Sequence, residues 1–152
     1  MHNNANIPIE MIESDTPLTI VRYGLLPDSA GAGAHRGGLG HFREWRIDLA
    51  EAIFTANLER FRFRPYGLAD GGPAAAGRVI LIRNGVETQL RSKVGNLRLT
   101  RGDVIRLETS GGGGFGAPSA RDPAAIARDV ALGYVTQQAA ARDHGRRDIA
   151  AE

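Results

Sequence analysis

The chain has 152 residues, no cysteine, and 19 basic against 17 acidic side chains, a net charge of +2. Disulfides, a thiol nucleophile and a thiolate-bound zinc are thereby excluded, and the length suits one compact domain over residues 1–152. No apolar run approaches the roughly 20 residues of a membrane-spanning helix, and the opening MHNNANIPIE lacks the basic stretch and apolar run of a signal peptide, so a cytoplasmic protein without membrane contact is expected.

In chain order, the first β-type run is LTIVRYGL, Leu18–Leu25. The loop DSAGAGAHRGGLG follows over residues 28–40, where Asp28 and Ser29 suit Asx and ST turns and the glycines permit unusual backbone angles. EWRIDL then sets Trp45, Ile47 and Leu49 on one face and Arg46 and Asp48 on the other, the period of two of a strand. Phe54, Ala56 and Leu58 keep that alternation, and RFRFR repeats it with Phe61 and Phe63 against Arg60, Arg62 and Arg64. The phase changes between Leu58 and Phe61, and a bulge or turn there would restore the faces. GGPAAAG, residues 71–77, reads as a plain loop.

Two runs of β-type residues flank Asn84-Gly85, and both central positions of a type I′ turn need positive φ, so VILIR-NG-VETQL predicts a hairpin. A second hairpin is expected from VGNLRL, the turn Thr100-Arg101-Gly102-Asp103, and VIRLET. Beyond residue 110 the pattern changes. Asp122 suits an N-cap and Pro123 a first helical position, which predicts a helix to about Leu132, stopped by Gly133, with Ile126 and Val130 facing the sheet. Thr136 caps a second short helix, QQAAARDH, ended by Gly145. The fold class is therefore mainly β (α+β): an antiparallel β-rich region over residues 1–110, then a glycine loop and two short C-terminal helices over 111–145, with a frayed tail over 146–152.

All basic residues except Lys93 are arginine, and the positive excess is concentrated in residues 22–106. Arg/Glu alternation along strands reads as a solvated face, and no nucleic-acid partner is expected. Two glycine-rich loops remain. In SGGGGFGAP, residues 110–118, Gly111, Gly113 and Gly116 fit G-x-G-x-x-G. A dinucleotide site needs that loop to enter a helix directly inside a βαβ unit, whereas here residues 117–122 intervene and no parallel strand follows. A P-loop fails for want of G-K-[ST]. The glycines are read instead as a tight crossing under another segment. In the loop over residues 28–40, Arg36 has a donor fork suited to carboxylate or phosphate, either as an anion ligand or as a clamp on the loop's own carbonyls. The binding or loop-shaping candidates are Arg36, Gly37, Gly38, Gly112, Gly113 and Gly114.

Catalytic constellations are weak. His35 and His41 lie near Glu44 and Asp48, but His41 and Glu44 fall on opposite sides of a strand, the wrong spacing for a shared metal. No serine sits in a G-x-S-x-G elbow. Tyr23, Tyr66, Tyr134 and Trp45 read as core or rim aromatics.

Taken in order, NNANIPIEMIE, then PLTIVRYGLLPDSAGAGAHRGGLGHFREWRI, then LRSKVGNLRLTRGDVIRLETSGGGGFGAPSARDPAAIARDVALGYVTQQAAARDHG resemble the C-terminal part of the hydantoinase B/5-oxoprolinase family, over nearly the whole chain. The resemblance departs where Ala34-His35 precedes Arg36. It implies a part of a large B-type subunit that works with a hydantoinase A-type partner in ATP-dependent hydrolysis of cyclic amides such as hydantoins and 5-oxoproline. It also implies that ATP and a divalent metal are held elsewhere, on the A-type partner and the upstream B-type region, with no catalytic or metal residue and no cofactor on this chain. The other reading is a stand-alone binding module that keeps the family fold and has no catalytic activity.

Overall fold

A computed structural model describes residues 6–145; the tail expected over 146–152 lies outside the described residues. Seven strands follow a short helix: α1 (Ile9–Asp15), β1 (Leu18–Leu25), β2 (His41–Ile47), β3 (Glu51–Asn57), β4 (Arg78–Arg83), β5 (Val86–Gln89), β6 (Lys93–Thr100) and β7 (Val104–Glu108). After a single 3-10 turn (Pro118–Ala120) come α2 (Pro123–Ala131) and α3 (Gln137–His144). The strands form a five-stranded antiparallel sheet in the order β1-β2-β7-β4-β5 and a two-stranded sheet, β3-β6. This is the β-rich α+β fold expected from the sequence.

Register explains the core. Trp45 is opposite Ile105, which is opposite Leu81, and Leu107 is opposite Val79, so one face of the large sheet is apolar. Leu99 from β6 and Ala52 and Phe54 from β3 pack onto Ile47, Val79, Leu81 and Ile105, and Leu99 is only 1% exposed. The two-stranded sheet is therefore the lid on the apolar face of the larger one.

The Asn84-Gly85 hairpin forms as expected, with φ of 53° and 77°. The second expected hairpin does not. Residues 100–103 do turn, with Asp103 N–H donating to the Thr100 carbonyl at 3.0 Å. Yet β6 and β7 part into different sheets, because both edges of β7 are taken by β2 and β4. Asp103 fixes the parting: its buried carboxylate accepts from Arg83 Nε (2.9 Å), Arg83 Nη2 (2.6 Å) and the Thr100 amide (2.7 Å), while the Asp103 carbonyl accepts from the Ile47 amide at 2.8 Å.

Three further expectations are corrected. RFRFR is not a strand: β3 ends at Asn57, Arg60 turns the chain with φ of 63°, and Phe61 packs on the core while Phe63 is exposed. The turn expected between Leu58 and Phe61 is the one at Arg60, and a further irregularity in pairing lies earlier, between Phe54 and Ala56. Leu49 is exposed, because β2 ends at Ile47 and the chain is already turning toward β3. Helix α2 buries Ile126, but it packs on α3, which in turn packs on the 3-10 turn, and neither helix has substantial contact to a strand. Their boundaries do match expectation: the Asp122 and Thr136 side chains cap the N-termini, and Gly133 and Gly145 adopt φ of 70° and 67°. Helix α1 was not expected from the sequence pattern; its Glu13 carboxylate accepts from the Ile20 amide (2.8 Å) and ties the helix to β1. Among the described residues no helix is long and apolar enough to cross a membrane.

The opposite face of the large sheet is a ladder of paired charges. Glu44 on β2 is buried between Arg22 of β1 and Arg106 of β7, accepting at 2.7 Å and 2.6 Å. Arg106 also reaches Glu87 at 2.9 Å, and Arg78 bonds buried Glu108 at 2.7 Å. The Arg/Glu alternation is thus satisfied across strands. Hydrogen bonding from Arg22 holds the Glu44 carboxyl below its ordinary range; burial opposes this, and Arg106 adds to the lowering. A carboxyl with a depressed folded pKa contributes stability that is complete above its unfolded value and lost as pH falls through the folded one. Urea unfolding of Glu44→Gln from pH 7 to pH 2 is therefore expected to show lower stability at neutral pH and a shallower acid decline than the parent chain.

Candidate functional site

The glycine-rich segments meet in one body of backbone. Residues 110–116 run through its middle. On one side, Gly31 N–H donates to the Gly112 carbonyl (2.9 Å), Gly112 N–H to Gly38 (2.8 Å), and His35 and Phe115 exchange both bonds at 2.9 Å. On the other, Leu68 N–H donates to Gly114 (2.9 Å), Gly114 N–H to Gly72 (3.0 Å) and Gly116 N–H to Leu68 (3.0 Å). Gly72 N–H closes the third contact by donating to Ala32 at 2.7 Å. The stretch expected to be a plain loop, residues 71–77, is therefore partly a wall of this body.

Close approach is what demands glycine here. A β-carbon at Gly113 would overlap the Tyr66 carbonyl oxygen, and one at Gly114 the Ala32 carbonyl oxygen. None of Gly111, Gly112, Gly113 or Gly114 lies in the left-handed region. The steric crossing expected from the sequence is the arrangement found. The amides of Gly112, Gly114, Phe115 and Gly116, which a phosphate cradle would need free, donate to carbonyls instead. The candidate residues differ in their constraints: Gly37 is pressed against the Gly112 carbonyl, whereas Gly38 faces open space.

Arg36 joins this body to the helices. Its Nε and Nη2 donate to the two oxygens of Asp129 at 3.0 Å and 3.2 Å, its Nη1 donates to the Gly37 carbonyl at 2.7 Å, and its guanidinium lies 5.5 Å from the Tyr134 ring centroid. Arg121 approaches the same carboxylate at 2.6 Å and the Ala34 carbonyl at 3.2 Å. Buried Asp129 thus neutralises one of two guanidinium groups at the junction. Of the two alternatives for Arg36, this geometry is that of a clamp, and its main partner is a helix carboxylate with one loop carbonyl besides. Asp129 and Arg121 were not among the sequence candidates. The available signal was Asp129 three residues after Ile126, a carboxylate in the buried stripe of α2.

Asp28 and Ser29 act at longer range than local turns. Asp28, at φ 58°, accepts from the Thr136 amide (2.7 Å) and hydroxyl (2.9 Å), so it holds the residue that caps α3. Ser29 Oγ donates to the Leu26 carbonyl (2.6 Å) and accepts from the Gly40 amide (2.8 Å), closing the base of the loop. The histidines among the described residues are dispersed: His35 beside Phe115, His41 near the Thr109 hydroxyl, and His144 with Nδ1 2.9 Å from the Pro118 carbonyl. Among the described residues no group of three or more His, Asp or Glu side chains is placed to hold a metal ion. Chemically the site is a rigid peptide scaffold, braced by inward-facing charges, that can present side chains at its rim.

Two tests separate close approach from flexibility. Gly113→Ala is expected to cost on the order of 4 kcal/mol or more and to abolish a cooperative thermal transition, whereas Gly38→Ala should stay within about 0.5 kcal/mol of the parent. Asp129→Ala is expected to cost about 3 kcal/mol by urea unfolding, because two arginines lose their acceptor. Arg36→Ala should cost less, since Arg121 still pairs with Asp129.

The family model described as Hydantoinase B/oxoprolinase matches residues 1–118. An uncharacterized protein of Methanocaldococcus jannaschii is 37% identical over 139 residues, which are 91% of this chain and 24% of that protein. The B-type subunit of a putative D-/L-hydantoinase from Pseudomonas sp. strain NS671 is 34% identical over 145 residues, 94% of this chain and 24% of its own length. Among solved structures, the ATP-dependent caprolactamase of Pseudomonas jessenii superposes with a TM-score of 0.81 at 30% identity, over 91% of this chain and 24% of the caprolactamase chain. The chain therefore spans about a quarter of the length of these relatives.

Proposed function

The chain belongs to the hydantoinase B/oxoprolinase family, and from that membership we propose that it is the β-rich C-terminal module of a B-type subunit, contributing structure and subunit or substrate contacts to ATP-dependent hydrolysis of cyclic amides of the hydantoin and 5-oxoproline type. The partners in this reading are a hydantoinase A-type subunit and the upstream B-type region. ATP is assigned to the former and the divalent metal to the latter, and the isolated chain is catalytically incomplete.

One observation carries this reading. A relative described as an ATP-dependent caprolactamase contains this fold as 24% of its chain, while polar groups of the glycine body are spent on one another: Asp129 on Arg36 and Arg121, and the amides of Gly112, Gly114, Phe115 and Gly116 on carbonyls. Such an assembly supports contacts better than bond-making, because general acid–base or nucleophilic work needs a polar side chain within reach of a substrate rather than neutralised inside the scaffold.

Co-expression tests the reading. The chain is expected to copurify with a B-type upstream polypeptide and an A-type subunit, and to be required for ATP-dependent opening of hydantoin or 5-oxoproline by the assembly. Failure to associate, or turnover of either cyclic amide by the purified chain alone, would overturn it.

A further inference from the structure

The glycine body also holds one bulky side chain where burial does not explain it. Phe115 is the sole large residue between Gly111 and Ala117. Its backbone is pinned from both sides: His35 exchanges two hydrogen bonds with it, and Leu68 is its bridge partner on the other flank. His35, Phe115 and Leu68 therefore form one row across three adjacent segments. All three point outward. Phe115 is 53% exposed, Leu68 58% and Tyr66, two residues earlier, 72%, while the rings of His35 and Phe115 lie 6.2 Å apart.

A steric crossing does not require this row. The overlaps that exclude side chains in the run fall at Gly111, Gly113 and Gly114, and Phe115 could be small and polar without loss of those contacts. Ile53 on β3, Val86 at the hairpin and Leu132 after α2 come from separate elements and are ordinary as single cases, and Val21, Tyr23 and Leu25 lie along one strand, β1, instead of crossing several segments. The row differs in two respects: its members are cross-strand neighbours, and their backbone is already immobilised, so little conformational freedom remains to be lost on contact. Aromatic side chains such as those of Phe115 and Tyr66 are enriched at the core of protein interfaces, and an adjacent leucine widens the apolar surface they offer.

Resting on the reading of the chain as a B-type module, we propose that the His35–Phe115–Leu68 row is the surface on which this module seats against the remainder of the B-type polypeptide. The occupant is chosen by length. The caprolactamase chain keeps this fold at a TM-score of 0.81 and has about three times as much polypeptide besides, against which a module of this size must abut. An apolar row held by a rigid backbone suits that permanent contact.

The proposal is tested with Phe115→Asp, Leu68→Asp and, as a control on a different element, Ile53→Asp, each in the full chain. All three are expected to melt within a few degrees of the parent; a collapse of Phe115→Asp alone would make the row internal packing and overturn the proposal. The isolated parent chain is expected to sediment as a monomer; a dimer that Phe115→Asp dissociates would make a second copy the occupant and equally overturn it. In co-expression with the upstream B-type polypeptide, Phe115→Asp and Leu68→Asp should weaken association roughly tenfold or more, with Ile53→Asp unchanged. If the parent chain associates and all three variants associate equally, the surface is wrong while the module reading stands. If a soluble upstream polypeptide fails to associate with the parent chain, the module reading itself fails, and this proposal with it.

Discussion

Peptide planes that meet at hydrogen-bonding distance in three directions leave no volume for a side chain, and the rest of this structure is organised around that constraint. Within the run at residues 111–114, Gly112 gives and receives a backbone bond on one flank and Gly114 on the other, so a polar backbone is brought into the protein with partners on both sides. The cost is compositional. A methyl group at Gly113 or Gly114 would occupy space already held by a carbonyl oxygen, and one substitution there would disturb three segments drawn from distant parts of the chain.

Such a body has little apolar surface of its own, and charge pairing secures its connections. Asp129 gathers Arg36 from one glycine loop and Arg121 from the approach to α2, and Asp28 holds the cap of α3. The same device recurs in the sheets. Asp103 directs β6 and β7 apart, and Glu44 links three strands on the face opposite the hydrophobic cluster. In both sheet sites the carboxylate is largely buried and at least one guanidinium reaches outward, which eases desolvation of the cation while keeping the acceptor satisfied. Arg22, Arg36, Arg83, Arg106 and Arg121 therefore serve internal connection.

A scaffold whose polar groups are mutually consumed has its free chemistry at the rim. That division is consistent with a family in which this fold occupies about a quarter of a longer polypeptide. Rigidity has a use in that setting: a side chain carried by an immobile backbone meets a neighbouring region without first being ordered.

Local sequence determined the elements whose causes are local. Asn84-Gly85 specifies its turn because two consecutive residues must accept positive φ; Asp122-Pro123 and Thr136 specify helix starts because orphan amides need a nearby acceptor; and the ordered motifs identified the family. Alternation alone misread RFRFR as a strand: the phase change between Leu58 and Phe61 announced the turn at Arg60, but not that pairing would end before it. Tertiary structure decided what depends on competition between distant partners. Whether β7 pairs with β6 turns on β2 and β4 already holding its edges, and whether Arg36 clamps or binds turns on a carboxylate 93 residues away. The glycine count foretold a close crossing, but only the fold selected which carbonyls fill the space, because steric exclusion is a property of two segments at once.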